Sequence, residues 1–283
     1  MRFHCDCFQC VVKHALESAR SVTRDEGAHL RVLREVMRRA ARLDARLPPP
    51  VLVQAAHRVI RRAIGDGDPY RRIKKRHNAL VLKLLPRLEK RVRRAKDPFA
   101  AAVRLAIAGN RIDMGTRKVI SERDVLDALE SALSAPLIGE TGPLLAAARR
   151  ARRILYLADN AGEIVLDRLL VERLPMEKLT LAVRGAPILN DALLDDARAA
   201  GLTDRVPVIG NGSDAPGTVL ADCSRTFRKA FSDADLVIAK GQGNYETLSE
   251  TDKRICFLLV AKCDIICQRL GHRPGEMLIV CKD

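Results

Sequence analysis

The chain has 283 residues, 47% of them hydrophobic, which is enough to bury a sizeable core and argues against wholesale disorder. Its longest apolar runs, such as 255–261, fall well short of the roughly 20 residues that a membrane-spanning helix needs. The opening MRFHCDCFQC lacks the apolar stretch of a secretory signal, so the expectation is a cytoplasmic protein with no membrane partner. The formal charge of +15 is uneven: residues 1–100 hold 25 Lys+Arg against 10 Asp+Glu, and the remaining residues hold 25 of each. That basic third raises a nucleic-acid partner as one reading. Aromatic residues make up only 3% and Trp is absent, which argues against recognition of single strands by stacking. The basic residues also fall on several separate stretches with no nucleic-acid motif. A solvated helical surface is therefore the favoured reading, part of whose charge can steer anionic substrates.

The pattern predicts helices over residues 1–150. Leu30, Leu33, Val36, Met37 and Ala40 recur at three- and four-residue spacing before the breaker Pro48-Pro49-Pro50. A second stretch runs from Val51 to Ile64 and ends at Gly65-Asp66-Gly67. A third covers about 70–94, with Pro86 expected to start, end or kink a segment. Residues 98–107 continue the helical pattern. Ser121, with Asp124 three residues later, caps another helix.

From about residue 151 short β-prone runs alternate with helical ones: 154–158, 179–183, 206–209, 236–239, 255–261 and 277–281. The alternation predicts a mainly parallel sheet covered on both faces. The expected architecture is an α/β/α sandwich over 151–283, preceded by a basic all-helical domain over 1–150.

In an open parallel sheet, ligands bind beyond the carboxyl ends of the strands. After the first β-prone run stands Asp159-Asn160-Ala161-Gly162-Glu163. After the second comes Arg184-Gly185, with Asn190-Asp191 opening the next helix, and after the third comes Gly210-Asn211-Gly212-Ser213-Asp214. Lys240-Gly241-Gln242-Gly243-Asn244 follows the fourth and Lys262 the fifth. Asp159, Asn160 and Asp191 are hard oxygen donors of the kind that suits Mg²⁺ or Mn²⁺. Lys240 and Lys262 can neutralise phosphate oxygens, and the Gly241-Gln242-Gly243 turn can add amide donors. Each piece alone is more often a helix cap, a turn or a solvated lysine. Their joint placement on one sheet edge is what points to a site. A nucleotide-dependent Rossmann enzyme is disfavoured, because no G-x-G-x-x-G follows the first strand.

With these residues assembled, the chain resembles the damage-control phosphatase family, most closely its microbial branch. The matching segments are CDCFQC, IAGNRIDMG (Ile107–Gly115), LADNAGEIVLD (Leu157–Asp167), VRGAPILNDA (Val183–Ala192), KGQGNYETL (Lys240–Leu248) and LLVAKCDII (Leu258–Ile266). They occur in order and span nearly the whole chain. The resemblance implies a divalent metal, commonly manganese, cobalt or nickel, held by Asp159, Asn160 and Asp191. It implies that Lys262 contacts phosphate, that Lys240 and Asn244 belong to the substrate pocket, and that Asn110 and Asp113 stand beside the site. The implied reaction is hydrolysis of small phosphorylated metabolites. In-line attack by water is expected, with Asp159 as both ligand and the catalytic residue nearest the nucleophile. A phospho-aspartyl route is the competing mechanism, although the second position after Asp159 is Ala161, unlike the Asp-x-Asp of haloacid-dehalogenase phosphatases. The alternative function is a nucleic-acid-binding protein that uses the basic helical region.

Cysteines stand at 5, 7, 10, 223, 256, 263, 267 and 281. A cytosolic setting disfavours simple structural disulfides. The cluster Cys5-x-Cys7-x-x-Cys10 is open to three states: a structural metal shared with Cys263 or Cys267, a disulfide, or reduced thiols.

Overall fold

The computed structural model describes residues 1–65, 67–111 and 121–282. The chain starts with helices α1 (Cys7–Val22), α2 (Glu26–Ala40) and α3 (Pro49–Ile64). Helices α4 (Arg71–Arg94), α5 (Pro98–Arg111) and α6 (Glu122–Ala132) follow. Next come β1 (Leu137–Ile138), α7 (Thr141–Arg150), β2 (Ile154–Leu157), α8 (Glu163–Val171) and β3 (Leu179–Val183). The remainder comprises α9 (Leu194–Ala199), β4 (Val208–Gly210), α10 (Arg225–Asp233), β5 (Leu236–Lys240), α11 (Gly241–Leu248), β6 (Ile255–Val260), α12 (Asp264–Leu270) and β7 (Met277–Lys282).

Local signals explain several boundaries. Ser121 and Asp124 form a reciprocal capping box at the start of α6. The Pro48-Pro49-Pro50 run breaks the chain and also starts α3, because proline fits a helix's first turn. The same helix stops at Gly65, which takes the left-handed conformation. Pro86 was expected to mark a boundary or kink, yet it lies inside α4, which runs on to Arg94. Leu84, Leu85, Leu88 and Val92 are buried around it, so packing outweighs one lost backbone hydrogen bond.

The strands form one sheet in the order β1-β7-β6-β5-β2-β3-β4. β2 pairs in parallel with both β3 and β5, while β7 runs antiparallel to β6. Alternate residues of each strand enter opposite cores, as the period of two requires. Ile154 and Tyr156 of β2 join Ile238 and Leu258 against α4–α8. Leu155 and Leu157 join Val237 and Phe257 against α10, α11 and α12. This is the expected α/β/α sandwich with a mainly parallel sheet. Helices α1–α3 share a smaller core of their own, built on Val32, Val36, Leu52 and Ile60.

Two features depart from the sequence reading. β1 falls in the stretch expected to be helical; at two residues it is too short to show a periodicity, and it exists by pairing with β7. Cys256 and Cys281 form a disulfide, against the expectation for a cytosolic chain. The antiparallel register of β6 and β7 sets these two residues directly opposite one another.

Helix α3 docks on the α/β unit through Asp214. Gln54 donates to its Oδ1 at 2.6 Å, Arg58 Nε donates at 3.0 Å, and Arg61 forms a further ion pair with its Oδ2. Burial is the largest single influence on this carboxyl and pushes its pKa up. The hydrogen bonds from Arg58, Gln54 and Arg61 together outweigh burial, and the pKa ends below the ordinary value. A depressed carboxyl contributes stability above its unfolded pKa and loses it as pH falls through the native one. Asp214→Asn is therefore expected to cost roughly 1–3 kcal/mol in urea unfolding at neutral pH. The gap between variant and wild type should close as pH falls through and below the acidic carboxylate range; a gap that persists unchanged into acid would refute the assignment.

Candidate active site

β2 is the point where chain order reverses: β3 and β4 lie to one side of it, β5 and β6 to the other. The crevice beyond its end is where such a sheet receives a ligand. The loops after β2 and β3 are stitched together there. Ala192 N donates to Asp159 O at 2.8 Å, Ala161 N donates to Asn190 O at 2.9 Å, and Asn160 bridges to Asp191. Asp159, Asn160 and Asp191 are brought together by this stitching.

Buried Arg184, the first residue after β3, spans the two carboxylates. Its Nε donates to Asp191 Oδ2 at 2.6 Å, and its far nitrogen lies 3.5 Å from Asp159 Oδ1. The side-chain amides of Asn160 and Asn110 each donate to Asp159 Oδ2 at 2.7 Å, and both also reach Glu163 Oε2. Gly241 takes a φ of +76°, and a Cβ placed there would overlap the Asp159 carboxylate. Only glycine tolerates both conditions.

Beneath this layer lies a second charged group. Lys240 is wholly buried, and its ammonium donates to Ala106 O at 2.8 Å, Glu163 Oε1 at 2.7 Å and Asp167 Oδ1 at 2.5 Å. Tyr156 donates its hydroxyl to the same Asp167 oxygen at 2.8 Å. Burial acts to lower the lysine's pKa, but the two carboxylates more than offset it and hold it above the usual value. Lys240 is therefore an internal countercharge whose donor positions are all taken, not a side chain open to phosphate. The reason is strand alternation: Leu236, Ile238 and Lys240 share the face that packs on α5 and α8.

The remaining residues named from the sequence divide similarly. Asn244 is buried and fully engaged: it accepts from Thr218 at 2.8 Å and donates to Lys240 O at 2.8 Å. The Gly241-Gln242-Gly243 segment, read as a turn, is the first turn of α11, and the side chain of its N-cap residue Lys240 does not cap it. Lys262, two residues beyond the end of β6, is exposed, and its charge acts on Asp159. Asp113 lies outside the described residues. The sequence reading gave no role to Arg184, Glu163, Asp167 or Tyr156. It also passed over Asn78 of α4, whose Oδ1 accepts from Gly162 N at 2.6 Å and whose amide donates to Asp196 at 2.6 Å.

The electrostatics fit a cation. Burial first, then the charges of Glu163 and Asp191, push Asp159 up to about 8, against the pull of Arg184 and Lys262. Burial also raises Asp191, in spite of Arg184. Asp159, Glu163, Asp167 and Asp191 thus outnumber their buried partners Arg184 and Lys240. Asn110 Oδ1, buried beside Asp159, finds no donor among the described residues, and an acceptor-only atom in such a place suits a metal ion. Among the described residues no three His, Cys, Asp or Glu side chains form a ready metal cluster. The donor set here is two carboxylates and amide oxygens.

The two lysines should separate cleanly. Lys240→Met leaves two buried carboxylates without their cation and is expected to cost roughly 3–5 kcal/mol in chemical denaturation. Lys262→Ala, at an exposed position, should stay within about 0.5 kcal/mol of wild type. Equal effects would contradict the structural role of Lys240.

Comparison with known proteins shows the family. Residues 3–278 match the damage-control phosphatase ARMT1-like domain. A damage-control phosphatase of Archaeoglobus fulgidus is 34% identical, over 96% of each chain. One from Pyrococcus horikoshii is 33% identical over 98% of this chain and 97% of its own. An uncharacterised protein of Methanocaldococcus jannaschii is 32% identical over 97% of this chain and 94% of its own. The crystal structure of a DUF89 family protein from Pyrococcus horikoshii superposes with a TM-score of 0.92 at 30% identity, covering 100% of both chains. The chain belongs to the damage-control phosphatase ARMT1-like family.

Proposed function

We propose that this chain is a metal-dependent phosphatase that hydrolyses small phosphorylated metabolites, among them sugar phosphates and damaged phosphometabolites. The observation that carries the reading is the backbone stitching that gathers Asp159, Asn160 and Asp191 at the β2 crevice, where the charge of exposed Lys262 also acts on Asp159. Those three residues would hold the cation (Mn, Co, Ni or Mg), with Asn110 Oδ1, which meets no donor among the described residues, beside Asp159. When bound, such an ion polarises a phosphoryl oxygen and offsets its negative charge.

The chain's own groups do the rest. Lys262 contacts the phosphate, and the first amides of α11 offer further anion donors. Arg184 holds Asp159 and Asp191 facing one another. Asp159, pinned by two amides on one oxygen, orients the attacking water with the other for in-line displacement. Lys240, Glu163 and Asp167 act as positioning residues that keep the crevice floor rigid. Asn244 likewise ties the ends of β2 and β5 together.

The test is phosphate release from p-nitrophenyl phosphate and a panel of sugar phosphates, with Mn, Co, Ni or Mg and with chelator. Asp159→Ala and Asp191→Ala should each lower kcat/KM by about 100-fold or more and weaken manganese binding by calorimetry. Lys262→Ala should lower kcat/KM about tenfold or more, as one charged hydrogen bond to phosphate is worth. Absence of release with every metal would sink the proposal. Acid-quench trapping and oxygen-18 labelling decide the route: a phosphorylated Asp159 would overturn direct attack by water.

A further inference from the structure

Helix α4 opens with charges that its position disfavours. Its first turn holds Arg71, Arg72 and Lys74 and no acid, yet a helix N-terminus already carries partial positive charge that cations there oppose. Arg71, Lys74 and Lys75 share one face of the helix, and that face lines a cavity of about 530 Å³, with Asn78 a turn further along. The volume falls in the range of small-molecule sites. The loop after β3 contributes Pro187 and Leu193 to the same cavity.

Each acid on the cavity wall has partners of its own. Asp68 pairs with Lys74 at 2.7 Å, and Lys74 is only 3% exposed. An ammonium carries three donors, and that carboxylate oxygen takes one. Asp196 accepts from the Asn78 amide at 2.6 Å and from Leu193 N at 2.8 Å, at the start of α9. Asp195 pairs with Arg198 at 2.8 Å. Arg71 and Lys75 are exposed, and neither has a carboxylate partner among the described residues. Two uncommitted cations thus stand beside a buried one, all at the positive end of a 24-residue helix. An anion is the ligand that this arrangement favours.

The cavity borders the loops that form the crevice. Pro187 and Leu193 bracket Asp191 in the chain, and Asn78 Oδ1 accepts from Gly162 N at 2.6 Å, three residues beyond Asp159. We propose that this cavity is a second anion site, in which Arg71, Lys74 and Lys75 hold a phosphate group apart from the crevice. The phosphate has two possible sources, free inorganic phosphate or the second phosphate of a bisphosphorylated metabolite, and both present the same oxyanion. Binding there needs neither the crevice cation nor turnover, so the site stands or falls separately from the proposed phosphatase activity.

The full chain, stripped of metal on a chelating resin, is titrated by calorimetry with inorganic phosphate, glucose 6-phosphate and glucose 1,6-bisphosphate. The expected result is saturable binding of phosphate or of the bisphosphate. It should weaken about tenfold or more in the double variant Arg71→Ala/Lys75→Ala, as the loss of charged hydrogen bonds implies. Lys74→Met should weaken it at least as much. If Lys74→Met fails to fold by circular dichroism, because Asp68 is left buried without its cation, the exposed double variant decides. Arg72→Ala, off the cavity wall, should retain binding. A bisphosphate held about tenfold or more tighter than the other two probes identifies the metabolite's second phosphate as the source, and comparable binding of inorganic phosphate identifies the free ion. No binding of any probe, binding unchanged in the double variant, or an equal loss in Arg72→Ala would each overturn the proposal.

Discussion

Two backbone hydrogen bonds beyond the ends of β2 and β3 govern everything at the site. Neighbouring strands lie about 4.8 Å apart, but the loops that leave them ordinarily diverge. Here the ladder continues past the strands through Asp159, Ala161, Asn190 and Ala192. Asp159, Asn160 and Asp191 are consequently held in one small buried volume, where two carboxylates repel in a weakly screening medium. The fold answers with a fixed guanidinium, Arg184, and with amide donors from Asn110 and Asn160. Even so, carboxylates remain in excess, which is a state that a divalent ion relieves.

That volume has a floor and a wall, and they come from different parts of the chain. The floor is Lys240 with Glu163 and Asp167, contributed by β5 and α8. Glu163 belongs to both layers: one oxygen binds Lys240, and the other receives Asn110 and Asn160. The wall comes from the helical region, where α5 supplies Asn110 and α4 supplies Asn78, which pins the amide of Gly162. The site therefore exists only when these helices are packed on the sheet, and the shared core of α4–α8 with the sheet enforces that packing.

Much of the fold was legible because its signals are local and periodic. The runs at 154–158, 179–183, 236–239 and 255–261 became β2, β3, β5 and β6, since strands covered on both faces must be continuously apolar. The gathering of Asp159, Asn160 and Asp191 followed from the rule of strand ends. Lys240 was misplaced at the phosphate although the correction was within reach. It stands two residues after Ile238 and four after Leu236, on a face already committed to the core. Asn78 gave no comparable signal, because a polar residue within a basic helix reads as solvent-facing until a tertiary partner is known. The Cys256–Cys281 bond depended on the register of an antiparallel pair, which no local spacing specifies.

The basic first third can now be read against its partners. Arg58 and Arg61 turn to Asp214, Lys74 to Asp68, and Arg87 and Arg91 to Glu130. These pairs lie on α3 and α4 and point in more than one direction. A nucleic-acid surface needs its cations free and aligned along one path; the first of these pairs instead spends positive charge on docking α3 against the α/β unit. The charge that is left over, still +15 for the whole chain, creates a positive potential around a crevice whose own lining is acidic. An anionic substrate is drawn in by the protein as a whole and repelled locally by Asp159 and Asp191, unless a cation and Lys262 stand between. The same charge distribution thus favours phosphate at long range and opposes it beside Asp159 and Asp191.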